Sequence, residues 1–308
     1  MIISASRRTD IPAFYADWFM NRVRAGYFYR VNPFNSRQVS GFILKTEHVD
    51  AIRFWTRNPR PLLSHLAELA ERGLDYFFQF TLNAYDRTFE PNLPPLDERI
   101  ETMIELAGRI GPERVVWRYD PIILSNVNSA AWHLDQAIRI ASLVKDATRR
   151  LVVSFCDFYG KGEGRLGKAL QGSGIKLADI TAPEQRAVLE EVACGFGKIA
   201  VSHSLEIFSC SEAVDLAAFG IEHGACIDPN LIRKLGGVAA SGRKDSNQRA
   251  DCNCVESVDI GAYNSCRYRC AYCYANFNTG MIERNCRNHF PDSPALLGRY
   301  GGEVEIRT

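Results

Sequence analysis

The sequence lacks long apolar runs, an excess of either charge and a secretion signal. None of its 308 residues lies in an apolar stretch of about 18, the length that a membrane-crossing helix requires. Its 37 lysines and arginines against 36 aspartates and glutamates leave a net charge of +1, which does not favour binding to nucleic acid or a membrane surface. The opening residues, MIISASRRTD, contain no basic segment followed by an apolar one. We therefore expect a cytoplasmic protein without a membrane partner, and a nucleic acid is a disfavoured but not an excluded partner.

Histidine is scarce in this chain, whereas cysteine is abundant. The 6 histidines form no HxxxH pair, so they do not predict a histidine-based metal site. The 10 cysteines occur without an export signal, a setting in which metal or redox chemistry is commoner than a disulfide scaffold. The cysteines are therefore the strongest indication of function in the sequence.

A rhythm of short apolar runs, each followed by a helical pattern, extends to about residue 220. The predicted strands are Ile2–Ser6, Ala51–Thr56, Tyr76–Leu82, Val115–Tyr119, Leu151–Phe155 and Leu205–Ser209. The first helical pattern, Pro12–Ala25, has Asp10 available as its N-cap. Such units predict an α/β fold with a parallel sheet, in the form of a partial or closed (β/α) TIM-like barrel. An open, doubly wound sheet is the alternative.

Two regions depart from this rhythm. Residues 1–235 are predicted to form the barrel, and residues 236–308 a cysteine-rich, cluster-binding segment that packs on it. The glycine-rich stretch from residue 157 to 178 predicts a mobile surface loop, with a lid over a substrate as the alternative.

The carboxyl ends of the predicted strands are unusually polar. In parallel α/β folds these ends form the functional face, so their side chains are expected to converge there. We predict catalytic roles for Arg7, Arg8, Asp10, Arg118 and Asp120, and cofactor binding by Arg57 and Asn83. The arginines suit a small-molecule substrate with a carboxylate or phosphate group. As alternatives, Asp10 only caps a helix and Arg118 only pairs with Asp120.

The strongest motif is CRYRCAYCYA, which contains Cys266, Cys270 and Cys273. Three thiolates within eight residues suit a metal site that keeps one ligand position open, and such sites are usually chemical rather than structural. An apolar run, Val258–Tyr263, precedes the motif and predicts a further strand.

The motif resembles the CxxxCxxC signature of the radical S-adenosylmethionine (SAM) superfamily. This resemblance implies a 4Fe–4S cluster held by the three cysteines, with SAM bound to the remaining iron and Tyr272 near the adenine. It also implies reductive cleavage of SAM to a 5′-deoxyadenosyl radical, with a flavodoxin or ferredoxin as electron donor. The substrate is not specified by the motif.

In that superfamily the motif follows the first barrel strand, whereas here it follows all six predicted units. A circular permutation, with Val258–Tyr263 as the first strand, reconciles the two arrangements. The run Gly301–Glu303 would then correspond to the superfamily's Gly-Gly-Glu contact to the methionine amino group. Over most of its length, in stretches such as SASRRTDIPAFY, FWTRNP and WRYDPI, the chain also resembles a bacterial family described as domain of unknown function 1848.

Four other cysteines, Cys210, Cys226, Cys252 and Cys254, lie outside the motif. Four thiolates are enough for a second, fully ligated site, so we expect an auxiliary iron–sulfur cluster, with zinc or unliganded thiols as alternatives.

Two other functions remain open at this point. One is a zinc-ribbon binding module, in which the CxC at Cys252 and Cys254 joins Cys270 and Cys273. The other is a metal-free α/β barrel hydrolase or lyase that uses the polar strand ends.

Overall fold

The computed structural model describes residues 1–33, 35–156, 166–237, 242–300, 304 and 306–307, with the side chain of Ser36 not described. The strands of this part of the chain are β1 (Ile2–Ala5), β2 (Tyr27–Asn32), β3 (Asn35–Ile43), β4 (Ala51–Thr56), β5 (Tyr76–Thr81), β6 (Val115–Ile122), β7 (Arg150–Phe155), β8 (Glu206–Ser209), β9 (Glu222–His223), β10 (Val258–Asp259) and β11 (Ile306–Arg307). Eight of them form one sheet in the order β10-β1-β4-β5-β6-β7-β8-β9, and every pairing in it is parallel. The predicted α/β class is therefore confirmed.

Helices alternate with these strands. They are α1 (Ile11–Phe14), α2 (Ala16–Ala25), α3 (Leu66–Glu71), α4 (Leu96–Ile110), α5 (Ala130–Val144), α6 (Arg186–Ser202), α7 (Pro229–Lys234) and α8 (Thr279–Arg287). Short 3-10 turns occupy Arg60–His65, Pro112–Arg114, Pro183–Gln185 and Ala217–Phe219. No helix in the described part of the chain has both the length and the apolar character needed to cross a membrane.

The two faces of the sheet bury different partners. Side chains of strands alternate between faces, and in β4 Ile52 and Phe54 belong to the large apolar core that also contains buried residues of α2 to α6. On the opposite face, Ala51 of β4 packs in a smaller cluster with α7 and several cysteines. Because α2 to α6 share one face and the strand order runs without reversal from β1 to β9, the sheet is not doubly wound.

The helix predicted over Pro12–Ala25 is interrupted at Tyr15, which separates α1 from α2. The Tyr15 ring is buried, and its hydroxyl donates a 2.6 Å hydrogen bond to the carbonyl of Ser265. Asp10 caps α1 as predicted, since its Oδ1 accepts from the amide of Ala13 at 3.0 Å. A long-range contact to the cysteine-rich region accompanies the break between the two helices.

A second, small sheet lies outside the main one. It has the order β11-β3-β2, with β2 and β3 antiparallel. Both β2 and β3 belong to an excursion of the chain between β1 and β4. Although β2 and β3 lie between β1 and β4 in the sequence, β1 and β4 are paired neighbours in the main sheet.

Strand β10 lies beside β1, with Val258 opposite Ile3 and Asp259 opposite Ser4. The strand predicted at Val258–Tyr263 therefore exists, shortened to two residues, and it joins the main sheet. No pairing of β9 with β10 is found among the described residues, so a closed TIM barrel is not confirmed. The sheet draws strands from both sides of residue 235, and the division into two domains there stays a prediction.

The glycine-rich stretch is described only from residue 166 onward, and residues 157–165 lie outside the described part. Leu166 and Leu170 are buried against Phe89 and Ile123. The run Gly301–Glu303 also lies outside the described residues. Its predicted correspondence to the superfamily's Gly-Gly-Glu contact therefore stays a prediction.

Candidate functional site

Hydrogen bonds to Asp259 hold the residues that precede the CxxxCxxC motif at the carboxyl end of β1. Its carboxylate accepts hydrogen bonds from Ser4 Oγ at 3.1 Å, Ser6 Oγ at 2.9 Å and the Arg7 amide at 2.8 Å. Gly261 follows, and a Cβ at this position would lie 1.9 Å from Ser6 Oγ. Only glycine allows the two segments to approach so closely, and the chain is thereby directed across the end of the sheet.

The loop from residue 264 to 276 is held by asparagine side chains. Asn264 has a positive φ of 53°, and its Oδ1 accepts from the amides of Phe277 at 2.8 Å and Asn278 at 3.1 Å. Asn276 Nδ2 donates to the carbonyl of Cys266 at 2.7 Å, and Asn285 Nδ2 donates to that of Asn264 at 3.1 Å. Side-chain hydrogen bonds thus take the place of the backbone hydrogen bonds that a helix or strand would supply.

Cys266, Cys270 and Cys273, here called the triad, lie in one apolar cluster with Phe14, Leu93 and Tyr268. Burial raises the pKa of the Cys270 thiol to about 12. Burial also raises the pKa of Cys266, and the nearby Asp10, Cys273 and Cys270 raise it further. The thiols are therefore close enough to oppose each other's ionisation, and a cation bound among them would relieve this repulsion.

A buried polar group adjoins the triad. Arg57 NH1 donates to Glu90 Oε1 at 2.7 Å, and the hydroxyl of Tyr272 donates to the same oxygen. The Arg57 guanidinium lies 5.3 Å from the centre of the Tyr272 ring. The backbone amide of Arg57 also donates to Asp10 Oδ2 at 2.7 Å. Burial raises the pKa of Asp10 to about 7 despite these hydrogen bonds. The group brings two predicted cofactor ligands and one predicted catalytic residue together at the triad.

Asn83, Arg118 and Asp120 form a second polar group at the ends of β5 and β6. Asn83 exchanges two hydrogen bonds with the backbone of Asp120, at 2.9 and 3.0 Å. Arg118 Nε donates to Asp120 Oδ2 at 3.0 Å, and Ser154 Oγ donates to the other oxygen. Burial pushes the pKa of Asp120 upward, but Arg118 and Ser154 outweigh it and hold that pKa below its ordinary value. Asp120 is therefore an anion with fixed partners.

The arginines at the strand ends all face carboxylates. Arg7 NH1 lies 3.5 Å from Asp245, Arg8 NH1 lies 3.7 Å from Asp259, and Arg57 and Arg118 bind Glu90 and Asp120. Because these charges are already matched, the strand-end arginines supply no independent argument for an anionic substrate. That expectation stays a prediction.

Cys210, Cys226, Cys252 and Cys254, here called the quartet, converge on the face of the sheet opposite to α2–α6. The Sγ atoms of Cys210 and Cys226 lie 2.7 Å apart, and Cys254 hydrogen-bonds both Cys226 and Cys252. All four thiols are free. Since Cys254 contacts Cys226 and Cys252, the grouping of Cys252 and Cys254 with Cys270 and Cys273 expected for a zinc ribbon is not the one that the described contacts form.

Two buried arginines face the quartet. Arg118 NH1 lies 2.7 Å from Cys226 Sγ. Arg53, in the middle of β4, has no exposed surface, and none of its three guanidinium nitrogens has a hydrogen-bond partner among the described residues. Its guanidinium stacks 3.2 Å from the centre of the Trp55 ring. Burial lowers the pKa of Arg53 to about 9, whereas Cys226 and Cys254 act in the opposite direction.

Sequence reasoning missed several of these residues. Arg53 carried a signal, because a charge within the apolar run AIRFWT is unexpected in a buried strand. Glu90 carried none, since it lies in an irregular loop and only the fold brings it to Arg57.

Within the described part of the chain, no three histidine, cysteine or acidic side chains are arranged to hold a single metal ion. The roles predicted for the site residues stay predictions.

Fold and site together define an α/β protein with a parallel sheet and two separate groups of cysteines. The chain belongs to the family described as domain of unknown function DUF1848, whose model matches residues 2–275. This confirms one of the two resemblances seen in the sequence.

Other comparisons add little. No protein of curated function matches the chain. A short-chain type dehydrogenase/reductase from Mycobacterium marinum shares 10% identity at a TM-score of 0.23, with 68% of this chain and 71% of that chain covered. A protein from Bacteroides thetaiotaomicron assigned as an alpha-L-fucosidase shares 14% identity at a TM-score of 0.25, with 78% and 84% covered. Scores this low carry no argument about fold or function.

Proposed function

We propose that this protein is a radical SAM-type iron–sulfur enzyme whose triad holds the SAM-binding cluster. The observation that carries the proposal is the placement of the CxxxCxxC loop. Asp259 and Gly261 set this loop at the carboxyl end of β1, where Asp10, Arg57 and Glu90 gather. In the proposed architecture the parallel sheet is a partial, circularly permuted barrel, and β10 takes the first-strand position beside β1.

The donor set at the triad suits such a cluster. Cys266, Cys270 and Cys273 provide three thiol ligands in an apolar setting, which leaves one iron open to a small molecule. When bound, the cluster would supply the electron for reductive cleavage of SAM, which yields a 5′-deoxyadenosyl radical.

The chain's own residues would prepare the site. Phe14, Leu93 and Tyr268 pack against the thiols, of which Cys270 is buried and Cys266 and Cys273 are half-buried. Glu90 fixes Arg57 and Tyr272 in one arrangement, so that a cation and an aromatic ring border the cofactor. Asp10, with its pKa near 7, is able to hold or release a proton close to Cys266.

The substrate is proposed only as a small molecule, and the electron donor as a flavodoxin or ferredoxin of the cytoplasm. Neither is identified by a contact in the described residues. A hydrolase or lyase mechanism without metal would leave the convergence of the triad with Asp10 and Arg57 without a role.

The test begins with anaerobic purification, reconstitution with iron and sulfide, and chemical reduction. SAM is then added and 5′-deoxyadenosine is measured. We expect cleavage by the natural protein and its loss in Cys266→Ala, Cys270→Ala and Cys273→Ala, each with loss of one cluster. Cys194→Ala, which changes a cysteine of α6 outside both groups, serves as the control. Full iron content and cleavage in all three triad variants, or zinc binding without cleavage, would refute the proposal.

A further inference from the structure

The quartet is assembled by the fold from distant parts of the chain. Cys210 follows β8, Cys226 follows β9, and Cys252 and Cys254 precede β10. Burial is nearly complete for Cys226 and Cys254, which are each 2% exposed. The four thiols are free, and they are linked in the order Cys210, Cys226, Cys254, Cys252. Four cysteines gathered from three segments provide the number of ligands that a fully cysteine-ligated site needs.

Three N–H groups point at these sulfurs. Arg118 NH1 lies 2.7 Å from Cys226 Sγ, and the amide of Ile227 donates to Cys254 Sγ at 3.3 Å. Arg7 also hydrogen-bonds Cys254. Donors directed at sulfur stabilise thiolates rather than neutral thiols, because the charged form is the stronger acceptor. These donors would stabilise negative charge on the sulfurs of Cys226 and Cys254.

Arg53 supplies an independent argument. A fully buried guanidinium without hydrogen-bond partners is costly unless a negative charge compensates for it. The groups that act electrostatically in its favour are Cys226 and Cys254. Four thiolates around a metal carry the compensating charge, whereas four neutral thiols do not.

We infer that Cys210, Cys226, Cys252 and Cys254 bind a second iron–sulfur cluster, ligated entirely by cysteine, on the face of the sheet opposite to α2–α6. A four-cysteine set also suits zinc. The arginines favour iron and sulfide, because cations and hydrogen bonds around cluster sulfurs tune a reduction potential, and a structural zinc ion has none to tune. Metal binding would release the thiol protons, as it does at other thiolate sites.

The two cysteine groups are neighbours but remain distinct. The Tyr274 hydroxyl donates to the backbone carbonyl of Arg7 at 2.6 Å, and Tyr274 directly follows Cys273 of the triad. The Arg7 side chain in turn reaches Cys254 of the quartet. Tyr274 and Arg7 therefore connect the two groups, which have no cysteine in common.

The decisive experiment uses the whole chain with Cys266, Cys270 and Cys273 all changed to alanine. After anaerobic reconstitution, we expect about four irons and four sulfides per chain to remain. The visible absorption should bleach on reduction, and the electron paramagnetic resonance spectrum should not change when SAM is added. The natural protein should hold about twice this iron, with one signal that does respond to SAM.

A matched pair of variants completes the test in the chain with an intact triad. Cys226→Ser should lower the iron content by about half and leave the SAM-responsive signal, whereas Cys194→Ser should change neither. A triad variant that retains no iron, that contains one zinc, or that links Cys210 to Cys226 by a disulfide would overturn the inference. Failure of SAM cleavage alone would refute the proposed function and leave the second cluster standing.

Discussion

The triad and the quartet differ in how the chain brings their cysteines together. The triad comes from one loop of eight residues, and asparagine side chains shape that loop. The quartet comes from three segments that only the parallel sheet places side by side. The triad borders a carboxylate network at Asp10 and Glu90, whereas the quartet borders Arg53 and Arg118. Local spacing thus accounts for one group, and tertiary folding accounts for the other.

The largest effect is expected from Glu90→Gln, which acts on the triad side alone. The change removes the anion that binds Arg57 and leaves that arginine buried without a charge partner, at a cost of about 4 kcal/mol in unfolding free energy. SAM cleavage should fall at least tenfold if the proposed function holds, because the Arg57–Tyr272 arrangement is lost.

Iron content separates the two groups in this variant. The iron of the quartet should stay unchanged, and chemical denaturation with iron analysis measures both quantities. Glu105→Gln, which changes a glutamate of α4 in an exposed ion pair with Arg109, is the control and should cost less than about 1 kcal/mol. Equal loss of iron from both groups would contradict the separation.

Arg53→Met tests the quartet, because its effect on the unfolding free energy should have opposite signs in metal-free and loaded protein. In metal-free protein the change removes an uncompensated buried charge, so the unfolding free energy should rise by about 2 kcal/mol. In loaded protein the same change removes one of the buried cations that face the cluster, and stability should fall by about 3 kcal/mol. Thermal unfolding of both forms measures the reversal, and an effect of one sign in both would contradict the assignment of Arg53 to a cluster.

A pH dependence is expected that belongs to neither cysteine group. His133 is fully buried, with its ring nitrogens 3.0 Å from Tyr119 Oη and from the carbonyl of Ile123. Burial lowers its pKa from 6.5 to about 4. Between these two values the unfolded chain binds a proton that the folded chain does not, so His133 alone lowers the stability by about 3 kcal/mol in total as the pH falls through this window. Asp10, whose pKa is raised to about 7, contributes in the opposite direction over the same range. The contribution of His133 is therefore the difference between the natural protein and a His133 variant.

In the metal-free protein, His133→Gln should remove this contribution, so that stability falls less, or rises more, towards low pH than it does in the natural protein. His203→Gln, at the end of α6, serves as the control and should leave the slope in place. Urea denaturation at several pH values between 4 and 6.5 measures the effect. Equal slopes in His133→Gln and in the natural protein would contradict the role of His133.

The smallest effect is expected from Asn264→Ala in the loop of the triad. The variant loses the acceptor for two backbone amides and keeps a positive φ that alanine disfavours, at a cost of about 2 kcal/mol. Asn264→Asp keeps the acceptor and should lose less than half as much. Iron at the triad should fall in the alanine variant alone, and equal behaviour of both variants would contradict the role of the side-chain oxygen.

The sequence predicted the parts of this fold that depend on local pattern. Apolar runs such as Ala51–Thr56 matched a strand with the same bounds, since a buried parallel strand is apolar along its whole length. Asp10 was recognised as a cap because capping is a contact between near neighbours. The run Val258–Tyr263 was predicted to be a strand, and two of its residues form one beside β1.

Contacts between distant residues were beyond the sequence. The break between α1 and α2 at Tyr15 accompanies a hydrogen bond to Ser265, which is 250 positions away. The local pattern of apolar residues does not predict a partner so distant in the sequence. Glu90 reaches Arg57 and Tyr272 only because β4, β5 and the cysteine loop end at the same edge.

By itself, the sequence determined the α/β class, the family, and a triad whose spacing places three thiols in one loop. Only the tertiary structure decided that Cys210, Cys226, Cys252 and Cys254 face one another and that Arg53 is buried among them. The physical reason is that ligand spacing within a loop is set by the covalent chain, whereas contact between segments is set by the packing of a sheet whose order the local pattern does not contain.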